Sequence, residues 1–159
     1  MARADARAPR GQRAHATKPV NRGRHVTILG ALGLQGIVAA MTVAGFTDGD
    51  VFLTFLHEVL VPQLRPGQVI IMDHLKAHKV AGVAEAIATP GARLLYLPPY
   101  SPDLSPIEAC WSKVKTLLRA KAARPLENLA QAIAEAIAAI TAADARGWFT
   151  HGGYCSSFN

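Results

Sequence analysis

LPPYSPDLSPIEACWSKVK, Leu97 to Lys115, sets four prolines within ten residues and then passes at once into a helical pattern. Clustered prolines lock φ and remove backbone donors, so residues 97–104 read as a stiff loop rather than helix or central strand. Proline is tolerated at the first helical position, and Ser105-Pro106-Ile107-Glu108 has the S-x-x-E form of a capping box. A helix is therefore expected from Ser105 to about Arg119, with Glu108 in its first turn. Ala92 to Leu97, just before the prolines, reads as a short strand. The loop is thus a strand-to-helix connection, and that makes the chain an α/β protein.

Working outward, a second such connection precedes it. Val69-Ile70-Ile71-Met72 is a continuous apolar run, the pattern of a strand buried on both faces, and Asp73 ends it. His78 to Ala88 then reads as a helix stopped at Thr89-Pro90-Gly91. Upstream, Val26–Leu32 and Ile37–Val43 read as antiparallel strands joined through Gly33-Leu34-Gln35-Gly36. The whole stretch from Val26 to Gly45 is apolar enough to be mistaken for a membrane span, but Gln35 and four glycines punctuate it, which favours strands. Thr47-Asp48-Gly49-Asp50 offers N-cap oxygens to a helix over Val51–Leu60, ended by Pro62 and Arg65-Pro66-Gly67. A last helix, Leu126 to about Ala142, aligns Leu126, Leu129, Ile133, Ile137 and Ile140 on one face. Together these predict a mixed sheet flanked by helices over residues 25–155, with residues 1–24 as a separate arm.

The totals fit one globular domain: 159 residues, 50% hydrophobic and 18% charged. The formal net charge of +6 is not spread evenly. Residues 1–24 hold seven Lys/Arg against one acid, Asp5, and the remaining residues balance ten against ten. The arm lacks a hydrophobic period and reads as extended. Its arginines and lysine suit phosphate contact, which releases counterions, and equally suit a tail that only keeps the protein soluble. Cys110 and Cys155 form no CxxC pattern, so neither a disulfide framework nor a zinc site is indicated, and a reducing cytosol fits. No apolar segment with a cleavage site follows the basic start, so no signal peptide is read.

Sites in open α/β sheets form at the carboxyl ends of strands, which selects Asp73 and the proline loop with Glu108. Each has an ordinary alternative: Asp73 as a turn cap after its strand, Glu108 as a capping-box partner of Ser105. As a pair they say more, because two carboxylates at one sheet edge repel unless protonated or bridged by a cation. Mg²⁺ suits such oxygen ligands, taking one or two carboxylates together with substrate phosphates. Joined to the basic arm, this points to metal-dependent phosphodiester chemistry on nucleic acid. His74 and His78 have the spacing of one helical face but no third ligand for zinc, and His78 fits a hydrogen-bonding role beside Asp73. Tyr100 and Trp111 flank the start of the proline-led helix; Trp111 is expected in the core, and Tyr100 is a candidate DNA contact.

At these residues the chain resembles a known family. IIMDHLKAHK (70–79) and LPPYSPDLSPIEACWSKVK are similar to the DDE endonuclease domain of IS630-type transposases, relatives of the Tc1/mariner group. The 35 positions between Asp73 and Glu108 resemble the family's distance between its second and third acids. RAPRGQR (7–13), GRHVTILGALG (23–33), the Asp48–Pro62 helix and GWFTHGGY (147–154) extend the likeness over nearly the whole chain.

The resemblance implies an RNase H-like mixed sheet, two Mg²⁺ or Mn²⁺ ions, and cleavage and strand transfer at transposon ends by an enzyme of the bacterial cytoplasm and nucleoid. It makes Asp73 and Glu108 the catalytic metal ligands. His74, where the family has asparagine, Ser105, likewise, and His78 become supporting or substrate-side groups. Arg7, Arg10, Arg13, Lys18, Arg22, Arg24, Lys79, Lys113 and Lys115 are the expected DNA contacts.

Family members carry a first catalytic aspartate on a strand before the arm, and helix-turn-helix domains before that. The resemblance therefore implies an N-terminally truncated domain, with the first strand and first acid absent and an exposed edge on Val26–Leu32. Two outcomes follow. Either another polypeptide or a frameshift supplies the first aspartate and the DNA-recognition helices to an active enzyme, with a homo-oligomer or a complementing N-terminal transposase polypeptide as the expected partner, or the chain is an inactive remnant that at most binds DNA or oligomerises.

Overall fold

The computed structural model describes residues 25–121 and 126–154. The apolar stretch after the arm folds as a hairpin. β1 (Val26–Gly33) pairs antiparallel with β2 (Gly36–Ala44), from Val26 opposite Ala44 to Gly33 opposite Gly36, with one irregularity between Ala31 and Leu32. Strand alternation sends Leu29, Ala31, Ala39 and Met41 toward one core and Val26, Ile28 and Leu32 toward another, and the register irregularity turns Ile37 to the second core as well. Both faces are covered, which is why the segment reads as nearly unbroken apolar sequence. Among the described residues no helix is long and apolar enough to cross a membrane.

Asp48 caps α1 (Gly49–Phe55) by accepting the Val51 N–H at 2.9 Å. The helix then widens into a π turn over Leu56–Leu60 and tightens into a 3₁₀ turn over Val61–Gln63, where Pro62 stops it. Phe52, Phe55, Leu56 and Leu60 are buried along it.

β3 (Val69–Met72) and β4 (Arg93–Tyr96) form a parallel pair in the register Val69–Arg93 through Met72–Tyr96. Their crossover contains a 3₁₀ turn at Lys76–Lys79 and α2 (Val83–Ala88). The helix expected over 78–88 is therefore shorter, because Gly82 takes φ of 95°, a left-handed conformation that interrupts the helix and begins α2 afresh.

The expectation that β3 is buried on both faces is corrected. Ile70, Met72 and Leu94 pack into the first core, but Val69 (45% exposed), Ile71 (38%) and Leu95 (47%) line an open face. A four-residue apolar run cannot distinguish one covered face from two. The expected mixed sheet is present as two two-stranded sheets, β1–β2 and β3–β4, with no ladder joining them among the described residues. Both nonetheless lay a face on the same core with α1 and α2.

Three helices close the described chain: α3 (Pro106–Lys121), α4 (Leu126–Ala138) and α5 (Ala142–His151). The single last helix expected to about residue 142 ends early, and α5 begins at a capping box. There Thr141 accepts the Asp144 N–H while the Asp144 carboxylate accepts the Thr141 N–H. α3 and α4 build the second core from Cys110, Val114, Leu118, Ala132, Ile133 and Ala136 against β1 and β2. Trp111, expected in the core, packs there against β1 where Gly30 lies. A Cβ on Gly30 would stand 2.8 Å from the Trp111 ring. That close approach seats α3 on the hairpin and fixes where its first turn emerges.

Candidate active site

Asp73 leaves β3 and turns the chain. Its Oδ1 accepts the Leu75 N–H at 3.0 Å, the Asx turn that the sequence offered as the plain reading. The same oxygen lies 2.7 Å from Nδ1 of His78, at ion-pair distance without the alignment of a hydrogen bond. Its other oxygen, Oδ2, has no partner among the described residues, and the side chain is 44% exposed.

His78 is held from three sides. Its ring lies against Phe52 at 4.5 Å between centroids, its carbonyl accepts the Tyr96 hydroxyl at 2.6 Å, and its N–H donates to Leu75 O at 3.0 Å. His74 is exposed, with its ring 5.5 Å from that of Tyr96, and Lys79 Nζ sits 5.9 Å from the centre of the same tyrosine ring. The two histidines do not share a helix: His74 lies in the loop and His78 in the 3₁₀ turn. Sequence reasoning placed His78 near Asp73 but missed Phe52 and Tyr96, which orient it. Phe52 was visible only as one apolar residue in a helical period.

The next connection carries Glu108. β3 and β4 are parallel neighbours, and the Leu97 N–H donates to Met72 O at 2.8 Å, so Asp73 and the proline loop leave the same edge. Within the loop, Tyr100 stands fully exposed at φ of 57°, an uncommon conformation for a bulky residue and one costing about 1–2 kcal/mol. A 3₁₀ turn at Pro102–Leu104 leads into α3, and the Tyr154 hydroxyl donates to Leu104 O at 2.7 Å, tying the loop to the chain beyond α5. Burial pushes the Tyr154 hydroxyl pKa upward, which keeps that donor protonated.

The capping box expected between Ser105 and Glu108 is not formed. The backbone turn closes, with Glu108 N–H donating to Ser105 O at 3.0 Å, but neither side chain is hydrogen bonded among the described residues. The Glu108 carboxylate is exposed and without an ion-pair partner there.

Residues 1–130 match the family described as DDE superfamily endonuclease. The chain belongs to this family. The match takes in Asp73, Glu108 and the basic arm and stops inside α4, leaving α5 beyond it. No curated protein matches the chain's sequence.

For a DDE endonuclease the remaining question of chemistry is the donor set. Hard oxygen donors with free positions suit a divalent cation of the Mg²⁺ kind, and Asp73 Oδ2 and the Glu108 carboxylate are of that type. Among the described residues no three His, Cys, Asp or Glu side chains gather to hold a metal ion. The two carboxylates therefore match the chemistry in kind but do not make a closed cage.

Of the expected DNA contacts, Arg7, Arg10, Arg13, Lys18, Arg22 and Arg24 lie outside the described residues. Lys79 and Lys115 are exposed. Lys113 is engaged elsewhere, its Nζ 2.5 Å from Asp144 Oδ2. That pairing, with Thr141's backbone and hydroxyl donors, holds the Asp144 carboxyl down at about 2. Burial first, and then the Asp144 charge, push the Cys110 thiol up to about 11, with Lys113 opposing, so this free cysteine stays a protonated core residue.

Proposed function

We propose that the chain carries the second and third acids of an IS630-type transposase, and that it cleaves and transfers DNA strands at transposon ends with a divalent metal. The observation that carries this reading is the exposed Glu108 carboxylate, unpartnered among the described residues, on the connection next to Asp73, in a chain of the DDE endonuclease family. Asp73 and Glu108 would hold Mg²⁺ or Mn²⁺. The bound ions would polarise the phosphodiester and the attacking hydroxyl or water. Asp73 Oδ1 is taken up by the Leu75 N–H and faces His78 Nδ1, which leaves Oδ2 for ligation. His74 and Ser105 flank the substrate side, and the proline loop stiffens the approach of Glu108.

On this reading β1–β2 and β3–β4 are halves of one RNase H-like mixed sheet. Their shared core and the edges left unpaired among the described residues support it. A strand between them, and the family's first acid, would come from outside the described residues, supplied by a complementing transposase polypeptide. The working location would be the cytoplasm, at the nucleoid.

A second reading, a catalytically inert fragment that only binds DNA or oligomerises, draws on the same two separate sheets and on the absence of a three-acid cluster among the described residues. Nicking of supercoiled DNA carrying the transposon's terminal repeats separates the two. The proposed function expects Mg²⁺-dependent nicks that vanish with EDTA and fall to background in Glu108→Gln. Nicking that survives Glu108→Gln, or none even with the complementing polypeptide present, contradicts it.

A further inference from the structure

Each of the two acid-bearing connections contains a 3₁₀ turn, Lys76–Lys79 after Asp73 and Pro102–Leu104 before Glu108. Turns this short make few and poorly aligned internal hydrogen bonds, so their shape depends on what else holds them. In both, a tyrosine hydroxyl from another part of the chain does so. Tyr96 donates to His78 O at 2.6 Å across 18 positions, and Tyr154 donates to Leu104 O at 2.7 Å across 50. The chain has three tyrosines, and the third, Tyr100, is fully exposed. Two tyrosines making the same contact with the same kind of turn, one beside each acid, point to a shared task.

Each hydroxyl reaches its acid through the backbone. Tyr96 ends β4 opposite Met72, the residue before Asp73. Its bond to His78 O holds a turn in which the His78 N–H donates to Leu75 O and the Leu75 N–H donates to Asp73 Oδ1. The same bond keeps His78 Nδ1, which is buried, 2.7 Å from that oxygen. Tyr154 follows Gly153, whose φ of 82° turns the chain back after α5. Its bond to Leu104 O fixes the residue before Ser105, whose carbonyl accepts the Glu108 N–H at 3.0 Å. Tyr154 lies beyond residues 1–130, so this support comes from a part of the chain that the family match does not cover.

We propose that Tyr96 and Tyr154 are a pair of positioning residues, each hydroxyl locking the turn that presents one carboxylate, so that acids carried by separate cores are both held ready for the same metal ion. This rests on the nuclease reading of Asp73 and Glu108 and adds two residues that act through the backbone rather than as ligands. A carboxylate held in one orientation loses less freedom on binding a cation than one on a wandering turn.

Tyr96→Phe and Tyr154→Phe test this in the full chain, because each removes one hydroxyl and keeps the ring that meets His74 or Phe149. Amide hydrogen exchange without metal is the first measurement. Tyr96→Phe should speed exchange about fivefold at Leu75 and His78 and leave Ser105 and Glu108 as in the parent; Tyr154→Phe should do the reverse. The buried Ile87 and Val114 should exchange as in the parent in both variants. Mn²⁺ titration followed by electron paramagnetic resonance is the second measurement. Each variant should weaken binding about threefold, less than the loss on removing a ligand itself. Exchange that is unchanged, or faster throughout the chain, overturns the proposal. So does Mn²⁺ binding that ignores both variants while Asp73→Asn weakens it. Where Mn²⁺ binding ignores Asp73→Asn and Glu108→Gln as well, the metal reading fails and takes the positioning role with it, and exchange confined to one turn then marks each hydroxyl as purely structural.

Discussion

Asp144 illustrates how one side chain can serve as cap, ion pair and electrostatic anchor together. Its carboxylate caps α5 through Thr141 and holds Lys113 of α3. Its folded pKa, about 2, lies below the ordinary value of 3.8. A group whose pKa is depressed on folding adds stability fully above its unfolded value and loses it as pH falls through the folded one. Between pH of about 4 and about 2 the parent should therefore lose stability that Asp144→Asn, already lacking the charge, does not lose further. Urea midpoints measured across that range check this; parallel curves for the two proteins contradict it. The sequence holds this box as Thr-Ala-Ala-Asp, but an alanine-rich run around it hides the boundary between α4 and α5. Glu108 is the reverse case. Its S-x-x-E pattern is plain in the sequence, yet the side-chain bonds that the pattern normally implies are not made. Local spacing permits a cap and does not compel one.

The elements divide along the same line. Helix α3 sits where it does because Trp111 fits over a position in β1 that lacks a Cβ. Adding one brings a carbon to 2.8 Å from the indole and 3.2 Å from the Ala39 carbonyl. Gly30→Ala should cost about 1–3 kcal/mol by overpacking, read as a lowered denaturation midpoint with an unchanged urea dependence. A variant as stable as the parent would mean that α3 is not seated by this contact. The hairpin, the strand before Asp73, the proline loop and α3 were all legible, since turn residues and apolar runs bound them sharply. The break at Gly82, the π turn at Leu56–Leu60 and the open face of β3 were not. Each depends on what packs alongside, which a linear pattern does not record.

Taken whole, the described residues form two cores that share the β1–β2 hairpin. One holds α1, α2 and the inner face of β3–β4; the other holds α3 and α4. Asp73 is fixed by the first core through His78 and Phe52, and Glu108 by the second through Trp111. The two candidate acids therefore come from elements with separate supports on either side of the hairpin. The motifs in the sequence single out both candidate acids, but the residues that support them are visible only in three dimensions. On the proposed function these two carboxylates are ligands of one metal site. Mn²⁺ titration followed by electron paramagnetic resonance, on the parent, Asp73→Asn and Glu108→Gln, tests it most directly. One site predicts that each substitution alone weakens the same binding event by about tenfold or more. Mn²⁺ binding that neither substitution weakens would contradict it.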